Sequence, residues 1–209
     1  MKKIIFIFLL CFVLLITSVN ASLPLSNKLI VIDPGHGSKD VGTSYNNIYE
    51  KDLNLSISKF LEKELTKNGA SVLLTRDGDY DLSSPNANQR KKSDFDNRIE
   101  LINKSKADMY ISIHINYLSD YSYSGGQVFY TKNNELLAET IQLELNTIAF
   151  PRSIKKMPNV YMYEKLKIPG VLIECGFLSN SLERKKLQEE SYQINLSKAI
   201  THGIINYYR

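Results

Sequence analysis

The chain has 209 residues, of which 43% are hydrophobic, and a formal net charge of +4. This length suits one domain with a substantial core, and so mild a charge gives no reason to expect nucleic-acid binding. The sequence shows no internal repeat, proline-rich linker or second domain.

Residues 1–21 have the pattern of a signal peptide. Two lysines precede an uninterrupted apolar run at 4–16, and Ser18-Val19-Asn20-Ala21 offers small residues to a signal peptidase. The run is shorter than the roughly 20 apolar residues of a membrane span. We therefore predict export and a single domain at 22–209, with an uncleaved N-terminal anchor as the alternative.

The cysteine content is compatible with that prediction. Removing residues 1–21 leaves Cys175 alone, so no internal disulfide can form. An exported protein without a disulfide framework must depend on its core. The exterior of a Gram-positive cell or a spore compartment fits this composition.

Strands and helices are predicted to alternate along the chain. Apolar runs predict strands at 29–32, 71–75, 109–113, 126–130 and 170–173. Helical spacing of apolar residues predicts helices from Glu50 to the Asn68-Gly69 stop, at 94–105, at 136–148, after the cap Asn180, and at 192–208. This alternation predicts an α/β fold, with helices covering both faces of a sheet.

Four short segments each carry one candidate chemical residue at or near the end of an apolar run. They centre on His36, Glu50, His114 and Glu174. Two imidazoles and one carboxylate suit a catalytic zinc ion and leave its fourth position open to water, while the remaining glutamate can exchange a proton. In open α/β sheets, ligands bind at the carboxyl ends of the strands.

Each of these residues also has a simpler structural explanation. His36 lies in a Gly-His-Gly turn, and a carboxylate such as Glu50 at a helix N-terminus is favoured by the helix dipole. His114 is the polar end of an apolar strand. Glu174 has apolar neighbours, which should raise its pKa towards the range of a general base. Four coherent segments in one small chain favour a metal site over four separate structural roles.

The motifs Asp33-Pro34-Gly35-His36-Gly37 and Glu174-Cys175-Gly176-Phe177-Leu178-Ser179-Asn180 resemble those of zinc-dependent N-acetylmuramoyl-L-alanine amidases of the Amidase_3 type. The resemblance runs from Leu29 to the last helix. It implies a mixed, mostly parallel sheet of about six strands. It also implies hydrolysis of the amide that joins N-acetylmuramic acid to L-alanine in peptidoglycan.

The same resemblance assigns roles to the four residues. His36, Glu50 and His114 match the zinc ligands, and Glu174 matches the catalytic glutamate. Two departures lie outside these positions: Ser38 replaces a second glycine, and Tyr117 replaces a small residue.

Within that family, the sequence is most similar to the germination-specific amidases of the spore cortex. The supporting features are Leu23-Pro24-Leu25-Ser26, Asp81-Leu82 ahead of Arg90-Lys91-Lys92, and Lys167-Ile168-Pro169-Gly170. The resemblance implies formation of muramic-δ-lactam during sporulation, in the cell wall or spore cortex of a Gram-positive spore former.

Control of the activity is expected to come from outside the chain. The stretch from Tyr117 to Pro169 is predicted to hold one strand, one helix and loops, without the long blocking helix of some relatives. We therefore expect an exported or lipid-anchored accessory activator. The polar loop at 77–93 and the loop at 117–124 are the candidate contact surfaces.

Other polar and aromatic residues give weaker signals. His202 on the last helix favours a surface role. Arg90-Lys91-Lys92 is typical of a solvated run, although it could meet muramyl carboxylates or an acidic partner. Tyr117, Tyr121 and Tyr123 could stack on sugar rings or cover the edge of the sheet.

Two other functions remain open at this stage. A zinc peptidase or carboxypeptidase that cuts within the stem peptide would use the same ligand set. A catalytically silent wall-binding protein would have no need of Glu174. Mass analysis of digested muropeptides separates the first alternative from an amidase.

Overall fold

The computed structural model describes residues 22–209, and the predicted signal peptide at 1–21 lies outside that range. The described residues form eight strands and six helices. The strands are β1 (Leu29–Pro34), β2 (Ser44–Tyr45), β3 (Ile48–Tyr49), β4 (Ser71–Leu74), β5 (Met109–Asn116), β6 (Gln127–Tyr130), β7 (Lys155–Lys156) and β8 (Gly170–Phe177). The helices are α1 (Glu50–Lys67), α2 (Arg90–Ser105), α3 (Glu135–Leu145), α4 (Tyr161–Lys165), α5 (Ser181–Leu187) and α6 (Glu190–Tyr207). Between residues 22 and 209, no helix has the length and apolar character needed to cross a bilayer.

Six of the strands form one sheet in the order β4-β1-β5-β8-β6-β7. Neighbouring strands are parallel except for β6 and β8, which pair antiparallel. The prediction of an α/β domain with a mixed, mostly parallel six-stranded sheet is therefore confirmed. The central strands are almost wholly buried, because helices cover both faces of the sheet.

Alternate residues of β1 show how the two faces are covered. Ile30 and Ile32 belong to the larger hydrophobic core, together with residues of α1, α3 and α6. Val31 points to the opposite face, where Ile102 of α2 and Met162 of α4 belong to a second core. This period-two division is the signature of a strand between two helical layers.

The structure corrects several predicted boundaries. Helix α2 begins at Arg90 rather than at 94, because polar residues form its first turn and ion pairs such as Lys92–Asp96 stabilise it. Strands β5 and β8 continue past His114 and Glu174 to Asn116 and Phe177, so these two residues lie within strands rather than at their ends.

The region between Tyr117 and Pro169 contains more structure than was predicted. Besides β6 and α3, it holds the two-residue strand β7 and the five-residue helix α4. Strand β7 is the exposed dipeptide Lys155-Lys156, which carries no apolar pattern. Both elements are too short to show a periodicity that sequence reasoning could detect.

Candidate metal centre

The structure brings the side chains of His36, Glu50 and His114 together at one point. Their candidate ligand atoms all lie within 4.8 Å of one another. Glu50 Oε1 is 3.1 Å from His36 Nε2 and 2.9 Å from His114 Nδ1. Two imidazole nitrogens and one carboxylate oxygen that converge in this way fit a zinc ion with one coordination position left open.

Glu174 reaches the same place from the neighbouring strand. His114 in β5 and Glu174 in β8 are register partners, and the pairing of the two strands becomes irregular just after them. A polar cavity of about 300 Å³ is lined by His36, Glu50, His114 and Glu174. All four candidate residues therefore share one site, although they come from a loop, a helix terminus and two strands.

The loop that carries His36 is held in an uncommon conformation. His36 has a φ of 65°, in the left-handed region that non-glycine residues seldom adopt. Arg98 Nη2 donates a hydrogen bond of 2.7 Å to the His36 carbonyl, and Arg76 Nη2 donates one of 2.9 Å to Gly35. The backbone strain is maintained by these buried contacts, as is common at functional sites.

Two glycines make room for the ligand side chains. A Cβ at Gly35 would lie 2.2 Å from the His114 ring. A Cβ at Gly42, where φ is +68°, would lie 2.4 Å from Glu50 Oε2. Any larger residue at either position would displace a candidate ligand.

Both histidines also have partners on the side that faces away from Glu50. Asp40 Oδ2 lies 3.0 Å from His36 Nδ1. The Tyr163 hydroxyl lies 3.4 Å from His114 Nε2 and 3.0 Å from the Ser112 hydroxyl. Such outer partners fix the orientation of metal-binding imidazoles.

Sequence reasoning missed both outer partners. Asp40 had a detectable signal, because it is a carboxylate four residues after a candidate ligand. Tyr163 had none, since it lies 49 residues from His114 on the unpredicted helix α4.

The three candidate ligands are strongly coupled. Burial raises the pKa of Glu50, but hydrogen bonds to His114 and His36 outweigh this effect and hold that pKa far below its usual range. Burial lowers the pKa of His36, but the carboxylates of Asp40 and Glu50, 3.0 and 3.1 Å from its ring nitrogens, raise it to about 9. At neutral pH, His36 therefore carries a proton and a positive charge next to Glu50. A metal cation can take the place of that proton.

Glu174 differs electrostatically from Glu50. Burial, and next the negative charge of Glu50, raise its pKa to about 8. Its Oε2 atom is buried and has no hydrogen-bond partner among the described residues. A carboxylate that takes up protons near neutral pH and has a free oxygen in a cavity suits a general base.

A second cavity of about 350 Å³ adjoins the polar one and shares His36, His114 and Glu174 with it. Most of its other lining residues are apolar. These are Phe95, Phe129, Met157, Pro158, Val160, Met162 and Leu172. Glu174 therefore lies between a polar compartment and an apolar one.

Comparison with known proteins identifies a family whose model matches most of this chain. Residues 30–206 match the Amidase_3 family model, described as N-acetylmuramoyl-L-alanine amidase. The germination-specific N-acetylmuramoyl-L-alanine amidase of Bacillus subtilis (strain 168) is 39% identical over 195 residues, which cover 90% of this chain and 82% of that relative.

Solved structures agree with the sequence comparison. The CwlD amidase from Clostridioides difficile, determined in complex with the GerS lipoprotein, has a TM-score of 0.82 and 37% identity and covers 87% of this chain and 98% of its own. An N-acetylmuramoyl-L-alanine amidase from Clostridium difficile 630 has a TM-score of 0.76 and 33% identity and covers 86% and 96%.

The raised pKa of Glu174 predicts a specific pH dependence of stability in metal-free protein. A carboxyl whose folded pKa is raised contributes stability below its unfolded pKa of 4.5, and this contribution is lost as the pH rises through about 8. Glu174→Gln should remove the loss. Between pH 5 and 9, the free energy of unfolding of the variant should rise relative to wild type by on the order of 2–4 kcal/mol.

Urea denaturation in a chelator at several pH values measures this difference. Glu139→Gln, on the exposed side of α3, is the matched control and should follow the wild-type profile. If the free energy of unfolding depends on pH in the same way for Glu174→Gln and wild type, the pKa of the Glu174 carboxyl is not raised.

Proposed function

This chain belongs to the Amidase_3 family and is an N-acetylmuramoyl-L-alanine amidase acting on peptidoglycan, and we propose that it is a zinc enzyme of the spore cortex. The proposed reaction is hydrolysis of the amide between N-acetylmuramic acid and the L-alanine of the stem peptide. The observation that supports it is the convergence of His36, Glu50 and His114 beside Glu174.

Zinc suits the donor set, with His36 Nε2, Glu50 Oε1 and His114 Nδ1 as the atoms that would hold it. When bound, zinc lowers the pKa of water and polarises a carbonyl oxygen. The chain itself supplies the positioning: Asp40 orients the His36 ring, and Tyr163 lies against the far nitrogen of His114.

Glu174 is the proposed general base and acid. Its Oε2, which has no partner among the described residues, accepts a proton from the attacking water. It then donates this proton to the alanine nitrogen, so that the amine leaves in neutral form. The apolar cavity on one side of Glu174 restricts solvent around this carboxyl and keeps its proton affinity high.

The proposed location is outside the cytoplasm, after export directed by residues 1–21. The similarity to a germination-specific amidase supports action on cortex peptidoglycan, with muramic-δ-lactam formation as its outcome. A zinc peptidase acting within the stem peptide would release shortened peptides instead of free lactyl groups. Digestion of purified peptidoglycan with and without zinc, followed by mass spectrometry, distinguishes the two reactions.

Replacement of the proposed base tests the assignment of roles. Glu174→Gln keeps the size of the side chain but cannot accept a proton, so hydrolysis should fall by at least 10²–10⁴-fold, the usual contribution of a general base. Zinc content and the circular dichroism spectrum should stay near those of wild type. If the variant retains more than about a tenth of the wild-type rate, the assignment is wrong.

The proposed ligands predict one zinc per chain. His36→Ala and His114→Ala should lose the metal, whereas Glu50→Ala should weaken binding less, because water can replace a carboxylate. Zinc affinity should also increase with pH up to about 9, since the proton on His36 competes with the metal.

Elemental analysis after equilibrium dialysis measures zinc content at each pH. His202→Ala is the matched control, because that imidazole is 64% exposed and lies on α6. Full zinc occupancy in either histidine variant of the cluster would exclude the proposed site.

An accessory protein is proposed to activate the enzyme. The C. difficile relative was determined in complex with a lipoprotein, which supports a partner of that kind. The loop at 117–124 is a candidate contact surface because it exposes Leu118 and Tyr121, of which Tyr121 is 58% exposed. The loop at 77–93, which runs into the first turn of α2, is the second candidate.

The activator proposal predicts low turnover of isolated cortex by the purified protein with zinc, and higher turnover after addition of an extract of envelope lipoproteins. By linkage, the activator should also raise zinc affinity. Glu174→Gln with the same extract measures any amidase activity of the extract itself. Full turnover by the purified protein, unchanged by the extract, would rule the activator out.

A further inference from the structure

In the basic run at the start of α2, two residues have a close ion-pair partner, whereas the nearest carboxylate to Lys91 is 4.0 Å away and its ammonium group lies 5.8 Å from the centre of the Phe95 ring. Arg90 forms an ion pair with Asp81, and Lys92 Nζ lies 2.6 Å from Asp96. Lys91 has no carboxylate of the described residues within hydrogen-bonding distance. Its side chain is 65% exposed, and it lines the polar cavity beside the candidate metal ligands. The function assigned so far makes no use of it.

The contacts of Lys91 place its ammonium group at the mouth of the site. Lys91 Nζ is 4.0 Å from Asp40 Oδ2, which is itself 3.0 Å from His36 Nδ1. Two contacts and one imidazole ring therefore separate the ammonium group from the nitrogen of His36 that faces Glu50. The Asp40 carboxylate is engaged mainly by His36, because 4.0 Å is too long for a hydrogen bond.

Helix α2 is fixed in this position by its own buried face. Residues 95 and 98 follow Lys91 by one and two turns on the same face, and both line the apolar cavity. Arg98 is 2% exposed and donates hydrogen bonds to Asp33 and to the His36 carbonyl. The first turn of α2 is thus tied to the loop that carries His36.

The charges around the polar cavity make Lys91 distinctive. Three carboxylates line the cavity, those of Asp40, Glu50 and Glu174. Among its lining residues in the described part of the chain, Lys91 is the only lysine or arginine. Outside the candidate metal cluster, Lys91 is therefore the cationic side chain of this wall that an anionic group of a substrate can reach.

The chemistry of the substrate shows which anion would reach that point. The lactyl carboxyl of the muramic residue is consumed in the amide, so the glycan next to the scissile bond is uncharged. The stem peptide carries a free α-carboxylate on its second residue, a γ-linked D-glutamate. Each residue extends a chain by about 3.3–3.6 Å, which puts this group roughly 7 Å from the scissile nitrogen.

We propose that Lys91 is a specificity-determining residue that binds the α-carboxylate of the second stem-peptide residue. In this arrangement, the bound stem peptide extends from the candidate metal site past Asp40 and along the N-terminal turn of α2. This inference rests on the proposed amidase function and adds the direction in which the substrate crosses the cleft.

Two muropeptides that differ in one group test the proposal: one with a free D-glutamate α-carboxylate and one in which it is amidated. Lys91→Ala should lower kcat/KM for the free carboxylate about threefold to tenfold, mainly through KM, and for the amide less than twofold. Lys91→Arg should retain most of the preference, and Lys91→Glu should reverse it. Lys92→Ala, one residue away, should behave as wild type.

Binding measurements separate this inference from the proposed reaction. In Glu174→Gln protein, calorimetric Kd values for both muropeptides report recognition without turnover. A preference for the free carboxylate that disappears in Lys91→Ala/Glu174→Gln supports the inference, even if wild-type protein cleaves neither compound and the proposed reaction fails. Equal losses on both muropeptides, or no loss on either, would overturn it.

Discussion

The carboxylate of Glu50 is the group that joins the separate segments of the site. One oxygen is the neighbour of both candidate histidines and accepts a hydrogen bond of 3.2 Å from the backbone of Ile115. The other accepts one of 2.8 Å from the backbone of Thr43. The Glu50 side chain, at the first residue of α1, thus contacts His36 and Thr43 in the connection between β1 and β2, and Ile115 in strand β5. Its position at a helix N-terminus favours the negative charge that makes this possible.

A second layer of charge supports the first. Arg98 forms buried ion pairs with Asp33 at 2.7 Å and with Asp94 at 3.0 Å. Burying such charges is expensive, and removing one partner of a buried pair typically costs about 3–5 kcal/mol. The network therefore contributes a fixed geometry more than net stability. It joins α2 to the end of β1, and so it sets where His36 and Lys91 stand relative to one another.

The sequence was informative where a local pattern of residues predicts one structure or one chemical role without reference to distant residues. Apolar runs located the central strands, and the Gly-His-Gly turn and the glutamate that follows the apolar run of β8 identified candidate site residues. It was uninformative where the reading depends on distant partners. Helix α4 has five residues and no periodicity, so nothing indicated that Tyr163 would meet His114. The first turn of α2 is stabilised by charges alone, so a pattern based on hydrophobicity placed its start four residues late.

The two cavities that meet at Glu174 give the site an asymmetry that the ligand set alone would not have. On one side, polar groups and the candidate ligands hold charge that a metal can share; on the other, apolar side chains from β6, α4 and the segment before it form the wall. The Glu174 carboxyl at this boundary loses hydration on its apolar side, so burial raises its pKa. Glu50 lies about 3 Å from two imidazoles, and these neighbours lower its pKa. Two glutamates in one small site thus acquire different protonation behaviour from their surroundings. Helix α4 and the segment before it form much of the apolar wall, and Tyr163 of α4 contacts His114, so a change in their position would alter both the hydration of Glu174 and the orientation of His114.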